Sequence, residues 1–244
     1  MTINTNSVRL HAQRLAEATT RATTLSRSLH DALQRAATYK NPDLTPEALQ
    51  AKRSVMAREF RAAADAELAQ LRGEIDAAKA YIATAAREHV AVPNDPAALI
   101  QAEQKWRQVQ TMLDAGIELR DVLSTADEQT TRAIAEFGPS WAMAKDYRPS
   151  YMEERIDRAM YGGEAFSAAG WVQETAYKRL AEVTTDPSLG ELLVAASGAE
   201  ANVAPARPYL DAVQSRIAGG PVDMMATAVA SQIAASDAQP VAAV

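Results

Sequence analysis

Few residues in this chain have the types and spacing that chemistry requires. There are three histidines, His11, His30 and His89, and no cysteine. No histidine has a glutamate three residues before it, so the E-x-x-H signature of a di-iron helical bundle is absent. The zinc signature H-E-x-x-H is absent as well. Without cysteine, disulfides, thiolate metal sites and cysteine nucleophiles are all excluded.

The position of each histidine favours a structural role. His11 falls on an apolar helical seam, where a packed core histidine is the more common finding. His30 is next to Asp31, but adjacent helical residues point in different directions and do not form an acid–base pair. His89 lies near the C-terminus of a long predicted helix, where a positive charge is favourable. We therefore expect no metal ligand among them.

Phosphate-binding and hydrolase motifs are also missing from the sequence. It contains no G-x-x-x-x-G-K-[ST], no G-x-G-x-x-G and no G-x-S-x-G. Glu153 and Glu154 are neighbours in sequence, so their carboxylates do not converge and are better explained as a solvated helix face. We expect no catalytic residues, no cofactor and no small-molecule substrate, and predict that the protein is not an enzyme.

The composition is typical of a helical protein. Of the 244 residues, 48% are apolar and only 5% are aromatic, while Ala, Leu, Glu, Gln and Arg dominate. The N-terminal residues have no apolar signal-peptide region, and no apolar run approaches 18 residues. We expect neither secretion nor a membrane span, and therefore a cytoplasmic location.

Charge is distributed unevenly along the chain, whose formal net charge is −6. Residues 1–93 carry 13 Lys and Arg against 10 Asp and Glu, whereas residues 94–244 carry 12 against 21. A mildly basic front half thus precedes an acidic back half. In one interpretation the two halves bind different partners, or the basic half of one copy attracts the acidic half of another. In the other interpretation the charges are ordinary solvated faces of long helices.

Residues 44–90 predict one long helix. Thr45 can serve as N-cap and Pro46 as the first helical residue, Glu47 adds charge to the first turn, and Leu44 and Leu49 occupy the positions of a hydrophobic staple. From there apolar residues recur at helical spacing, through Leu49, Met56, Phe60, Ala64, Leu68, Leu71, Ile75, Ala78, Ile82 and Ala85. At about 1.5 Å per residue this helix would be roughly 70 Å long, so it must lie against other long helices.

Two further long helices flank this one in the prediction. An a/d heptad begins at Val8, is rich in alanine and ends near Tyr39. Asp95 and Pro96 open a third helix, which we expect Gly138-Pro139 to end. The short breaks imply hairpins, so residues 7–137 predict three antiparallel rods.

The sequence changes character after residue 137. Shorter helices are predicted over 164–183, 189–196, 205–217 and 222–235, together with a short one opened by Ser150 and Glu153. We predict a smaller helical domain over residues 138–236 and a flexible or docking tail over 237–244. No stretch alternates long enough to predict a sheet.

Three surfaces are candidates for binding. Arginines on the first helix could touch an acidic partner or pair with neighbouring helices; nucleic acid is the weaker choice because the chain is acidic and has few aromatic residues. An aromatic-rich segment is either a partner surface or the small core of the C-terminal domain. A short amphipathic stripe near the C-terminus either packs or docks in a partner's groove. The candidate partner-binding residues are Trp141, Tyr147, Tyr151, Tyr161 and Trp171 in the aromatic segment, and Met224, Met225, Val229 and Ile233 in the stripe.

The hinge Asn41-Pro42-Asp43-Leu44-Thr45-Pro46-Glu47, with Lys52-Arg53 just inside the second helix, occurs in an alanine-rich, cysteine-free, acidic chain. In this it resembles the helical proteins encoded among the head and tail assembly genes of tailed bacteriophages, which include capsid scaffolding proteins and minor virion proteins. The resemblance implies a location in a virion or the host cytoplasm. One departure is that scaffolding proteins often end in a basic helical segment, whereas residues 205–244 contain only Arg207 and Arg216.

These observations together predict an all-α protein, a long antiparallel three-helix bundle followed by a smaller helical domain. We expect a non-enzymatic structural or assembly role through contacts with copies of itself or with a shell protein. The competing hypothesis is a monomeric helical binding module, such as an adaptor or chaperone.

Overall fold

A computed structural model describes residues 3–149 and 167–219. Within them the chain is helical, with short connections and no strand, which confirms the all-α prediction. Several predictions fall outside the described residues: the short helix opened by Ser150 and Glu153, the stripe helix over 222–235, the tail 237–244, and the site residues Tyr151, Tyr161, Met224, Met225, Val229 and Ile233.

The first two of the three predicted long helices are present with nearly the predicted bounds. Helix α1 spans Thr5–Thr38 and α2 spans Pro46–Val90, which is 45 residues. The predicted start of α2 is confirmed, because Thr45 Oγ1 accepts a hydrogen bond from the Ala48 N–H at 3.3 Å and Thr45 O accepts one from Leu49 N–H at 2.8 Å. A short connection between two long helices is what the two prolines at 42 and 46 dictate.

The predicted heptad seam of α1 is the buried side of that helix. Every fully apolar seam position is buried, whereas His11 and Tyr39 are only half-buried. Alanine occupies two pairs of consecutive seam positions, which permits a close approach of neighbouring backbones. The buried seam residues are Val8, Leu15, Ala18, Ala22, Leu25, Leu29, Ala32 and Ala36.

The third predicted rod is three helices instead of one, so that prediction is wrong. Helix α3 spans Pro96–Asp114, α4 spans Leu119–Thr125 and α5 spans Glu128–Ala144. The first break occurs at Gly116, which has a φ of +86° that a helix cannot accommodate. The second follows from Asp127, whose carboxylate accepts a hydrogen bond from the Thr130 N–H at 2.7 Å and so starts a new helix.

The predicted helix end at Gly138-Pro139 is also wrong, because α5 continues through both residues to Ala144. The φ of proline suits a helix, but Pro139 removes the hydrogen bond to the carbonyl four residues earlier and its ring crowds that carbonyl. What continues the helix is burial: Ala142 in the last turn is fully buried.

Helix α6 spans Ala168–Val183, α7 spans Pro187–Val203 and α8 spans Arg207–Ile217, with a short 3-10 turn between the last two. Ser167 caps α6 by accepting a hydrogen bond from the Gly170 N–H at 3.1 Å. The predicted helices over 164–183, 189–196 and 205–217 are thus present, with α7 extending several residues further than expected. No helix among the described residues has the length and apolar character to cross a membrane.

The chain forms two compact units whose boundaries fall inside helices. One unit comprises Met1–Ala12 with Lys79–Ala199, and the other comprises Gln13–Ala78 with Glu200–Val244. In the first, α5 packs extensively against α6 and also against α3. These units interleave along the sequence, and the predicted division into 7–137, 138–236 and 237–244 stays a prediction.

In the second unit, α1 and α2 run in opposite directions. Arg21 Nη1 donates to Glu74 Oε2 at 2.5 Å, and Arg53 Nη2 donates to the carbonyl oxygen of Tyr39 at 2.8 Å. Of these two contacts, the one nearer the end of α1 is the one nearer the start of α2, as antiparallel helices require. The guanidinium of Arg21 also lowers the pKa of the Glu74 carboxyl.

Helix α8 is anchored to α1 in the same unit by a half-buried arginine. Arg216 Nη1 donates to the Ser26 carbonyl oxygen at 2.7 Å and to Ser26 Oγ at 2.9 Å. Ser26 is itself buried, and burial lowers the pKa of Arg216. A guanidinium in this position fixes both the depth and the rotation of α8, because its planar donors have fixed directions.

Replacing Gly138 tests the packing of α5. A Cβ atom there would lie 2.9 Å from Val172 Cγ1, and Val172 is fully buried and has little room to move. We expect Gly138→Ala to lower the free energy of unfolding by about 1–2 kcal/mol through overpacking, measured by chemical denaturation.

The matched control is Gly73→Ala, because a Cβ at Gly73 in the interior of α2 meets nothing within 4 Å. That change is expected to raise the unfolding free energy by about 0.5–1 kcal/mol through helix propensity. Equal effects at the two glycines would contradict close packing at Gly138.

Asp127 gives α5 a pH-sensitive start. Hydrogen bonds from Thr130, and then the attraction of Lys105, lower the pKa of this carboxyl, so its stabilisation is present above the unfolded pKa of about 3.9 and is lost as pH falls through the folded value. Asp127→Ala should cost about 1 kcal/mol at pH 7, whereas Asp127→Asn keeps a capping oxygen and should cost less.

Thermal unfolding from pH 7 to pH 2.5 provides the measurement. The stability difference between the unmodified chain and Asp127→Asn should shrink below about pH 4, as the native carboxyl becomes protonated. A difference that stays constant with pH would show that the ionised carboxylate contributes nothing. Asp95→Ala, which removes the cap of α3, is the control for cap loss elsewhere.

Candidate functional site

Three of the predicted partner-binding residues meet in one group of rings, which we call the aromatic cluster. It consists of Trp106 from α3, Phe137 and Trp141 from α5, Tyr147 just after α5, and Trp171 from α6. Ring centroids are 6.1 Å apart for Trp106 and Trp141, 5.0 Å for Trp141 and Tyr147, and 5.9 Å for Tyr147 and Trp171. These are the tilted and edge-on arrangements that aromatic rings prefer.

The end of α5 places Tyr147 within the cluster. The Tyr147 N–H donates to the Ala142 carbonyl oxygen at 2.9 Å, and the Asp146 N–H donates to the Met143 carbonyl oxygen at 3.3 Å. This is the Schellman pattern, in which one residue beyond the helix is left-handed and the chain folds back. Asp146 is that residue, with a φ of +46°. The turn therefore folds the ring of Tyr147 back beside Trp141.

The hydroxyl of Tyr147 lies at the start of α4. Its oxygen accepts from the Leu119 N–H and its proton is directed at Glu118 Oε2, both at 3.4 Å. Glu118 is the N-cap residue of α4 but makes no side-chain cap bond. Tyr147 thus supplies the missing acceptor and joins α4 to the aromatic cluster.

The aromatic cluster is buried at one end and open at the other. Trp106 is only 8% exposed, whereas Phe137, Trp141, Tyr147 and Trp171 are half-buried. Two apolar side chains near in sequence to this site are exposed: Met143 in the last turn of α5 is 68% exposed and Ile117, next to Glu118, is 45% exposed. The cluster is therefore partly core and partly surface, and its service as a partner surface stays a prediction.

Two histidines lie near a shallow groove of about 450 Å³ in the same unit. Its walls include Tyr81 and His89 from α2 and Val8 from α1. The His11 ring stacks on Tyr81 at a centroid distance of 4.3 Å, so this seam histidine packs as expected. His89 Nδ1 lies 2.9 Å from the Ala85 carbonyl oxygen, which assigns the proton to Nδ1 and leaves Nε2 as an acceptor.

His89 Nε2 is buried and makes no hydrogen bond among the described residues. Arg87 and Glu88, which precede His89, lie on an exposed face of α2. No carboxylate in the part of the chain that the structure describes pairs with the His89 imidazole. Among the described residues no three His, Cys, Asp or Glu side chains come together as a metal site would require.

Comparison with models of known protein families found no match to this chain. Comparison with curated proteins found none, and neither did comparison with solved structures.

Sequence reasoning missed Trp106 and Phe137 as members of the site. One long third helix was predicted over these residues, whereas α3 and α5 are separate helices that face each other. The signal in the sequence was Asp127, an N-cap residue type followed three residues later by Thr130, where a new helix can start. Treating it as an N-cap would have folded the third rod back and brought the rings together.

Asp146 provides a test of the turn that positions Tyr147. Asp146→Gly should keep the left-handed turn and raise the unfolding free energy by up to about 1 kcal/mol, because glycine adopts positive φ without strain. Asp146→Val should lower it by more than about 1 kcal/mol, since a β-branched residue at that φ is strained. Denaturant unfolding followed by tryptophan fluorescence reports both stability and the cluster. If valine were tolerated as well as glycine, the turn would not be what holds Tyr147.

Proposed function

We propose that this protein is a non-enzymatic structural or assembly protein that works through protein–protein contacts with copies of itself or with a shell protein. The observation that supports this most directly is the open end of the aromatic cluster. Half-buried Trp and Tyr rings have the composition of an interface hot spot. Ring faces that are fixed in place before binding lose little side-chain entropy on contact.

The long helices supply the geometric part of the proposal. Helices of 34 and 45 residues, held antiparallel by contacts such as Arg21 with Glu74, act as a stiff rod that sets a spacing. The antiparallel three-helix arrangement predicted from the sequence belongs to this proposal, with the third rod replaced by α3, α4 and α5. The resemblance to phage head and tail assembly proteins is in keeping with such a role, in a virion or during capsid assembly.

The alternative is a monomeric binding module, such as an adaptor or chaperone. The shallow groove beside Tyr81 and His89 favours it, because an apolar concave surface is a feature of ligand and peptide sites. We prefer the first function, since the aromatic cluster offers a larger set of anchor side chains.

Size-exclusion chromatography with light scattering distinguishes the two over a wide concentration range. The proposal expects a mass above 26.2 kDa that rises with concentration. Met143→Ser should then weaken self-association about tenfold or more, because it removes a large exposed apolar side chain from the last turn of α5.

Val194→Ser is the matched control. Val194 on α7 is 63% exposed, close to the 68% of Met143, and does not contact the cluster rings through any described interaction. Its effect on association should be less than twofold. A mass of 26.2 kDa at every concentration would refute self-assembly and leave the monomeric module.

A further inference from the structure

Helix α4 depends on other parts of the chain for its stability. It spans Leu119–Thr125, only seven residues, and a helix of that length is marginal at best in water. Gly116, with a φ of +86°, ends the preceding helix, and the N-cap residue Glu118 makes no side-chain capping bond in the described part of the chain. What keeps α4 helical must therefore come from its neighbours.

Apolar burial and one arginine hold α4 along its length and at its C-terminal end. Leu119, Val122 and Leu123 are buried, and α4 packs against α6 and α3. Arg179 of α6 donates from Nε and Nη2 to the carbonyl oxygen of Ala126, at 3.3 and 3.1 Å. Two bonds from a charged donor make this the more firmly held end of the helix.

The N-terminal end of α4 is held by the Tyr147 hydroxyl. Its oxygen accepts from the Leu119 N–H and its proton is directed at Glu118 Oε2, and both distances are 3.4 Å. A neutral hydroxyl with long bonds holds a helix end less firmly than the guanidinium of Arg179 does. Opening of α4 is therefore expected to begin at Leu119.

Tyr147 belongs to the aromatic cluster and to the cap of α4 at the same time. Its ring centroid lies 5.0 Å from that of Trp141 and 5.9 Å from that of Trp171, at the open end of the cluster. Because the ring is rigid, its hydroxyl stays on α4 only while the ring keeps this place. The position of the ring and the docking of α4 are thus linked, and such a linkage acts equally in both directions.

We propose that α4 is a latch, a segment that opens and closes as a unit, and that Tyr147 couples it to the aromatic cluster. While the ring of Tyr147 lies against Trp141 and Trp171, its hydroxyl caps α4 and the helix is closed. When the ring moves away, α4 loses this cap and opens from its N-terminal end. A protein that lies on the open end of the cluster holds α4 closed; this consequence rests on the proposed function, whereas the coupling itself does not.

Hydrogen–deuterium exchange of the full chain tests one direction of the coupling, with residues 119–126 as the reporter. Tyr147→Phe keeps the ring and removes the hydroxyl, so exchange there should become faster by about threefold or more, while exchange in α3 and α6 stays within about twofold. Tyr177→Phe is the matched control, because the Tyr177 hydroxyl accepts from Gln173 within α6 at 2.9 Å. Its removal should leave exchange over residues 119–126 within about twofold of the unmodified chain.

Tryptophan fluorescence tests the other direction, because all three tryptophans of the chain belong to the aromatic cluster. Val122→Ala loosens α4 from its buried side, so acrylamide should quench the fluorescence more strongly. In a chain that already carries Tyr147→Phe the same change should have little further effect, since the link is absent. Val90→Ala, which truncates a buried valine of α2 in the same unit, is the control and should leave quenching unchanged.

Three results would overturn the proposal. One is equal exchange over residues 119–126 in the Tyr147→Phe and Tyr177→Phe chains. Another is exchange that rises as much in α3 and α6 as in α4, since the hydroxyl would then stabilise the whole unit. The third is an effect of Val122→Ala that persists undiminished in the Tyr147→Phe chain. None of these readouts requires a partner or self-association, so failure of the latch and failure of the proposed function are distinguished.

Discussion

The close approach of α5 and α6 at Gly138 is the contact on which the aromatic cluster depends. Because glycine has no Cβ, Val172 of α6 can lie against the α5 backbone, and the ring of Trp106 from α3 lies near the same point. Burial on this scale keeps α5 helical through Pro139, where the backbone loses a hydrogen bond. Trp141 one turn later therefore remains on the helix, and the Schellman turn after Ala144 folds Tyr147 back against it. The absence of a side chain at Gly138 thus determines where the rings of Trp106, Trp141 and Tyr147 lie.

The long helices are held together in a different way. The seam of α1 is rich in alanine, which allows close approach but buries little apolar area per residue. Specific polar contacts supplement it at intervals: Arg21 with Glu74, Arg53 with the Tyr39 carbonyl, and Arg216 with Ser26. Pairs as exposed as Arg21 and Glu74 contribute modestly to stability, but their fixed geometry sets the register of one helix against the next.

The proposed function follows from aromatic side chains whose cover is incomplete. At the aromatic cluster the open surface consists of rings held by three helices, which suits contact with another protein.

Local signals in the sequence determined the helical class, the bounds of α1 and α2, and the stop between them, because capping residues, prolines and a seven-residue period act over a few neighbouring positions. They also determined which side of α1 is buried. Tertiary structure alone decided that α5 continues past Gly138-Pro139. Gly138-Pro139 has the local chemistry of a helix end, but burial of Ala142 and contact with Val172 outweigh that preference. The pairing of Trp106 with Trp141 likewise required α3 and α5 to face one another, and no periodicity within either helix encodes which other helix lies opposite.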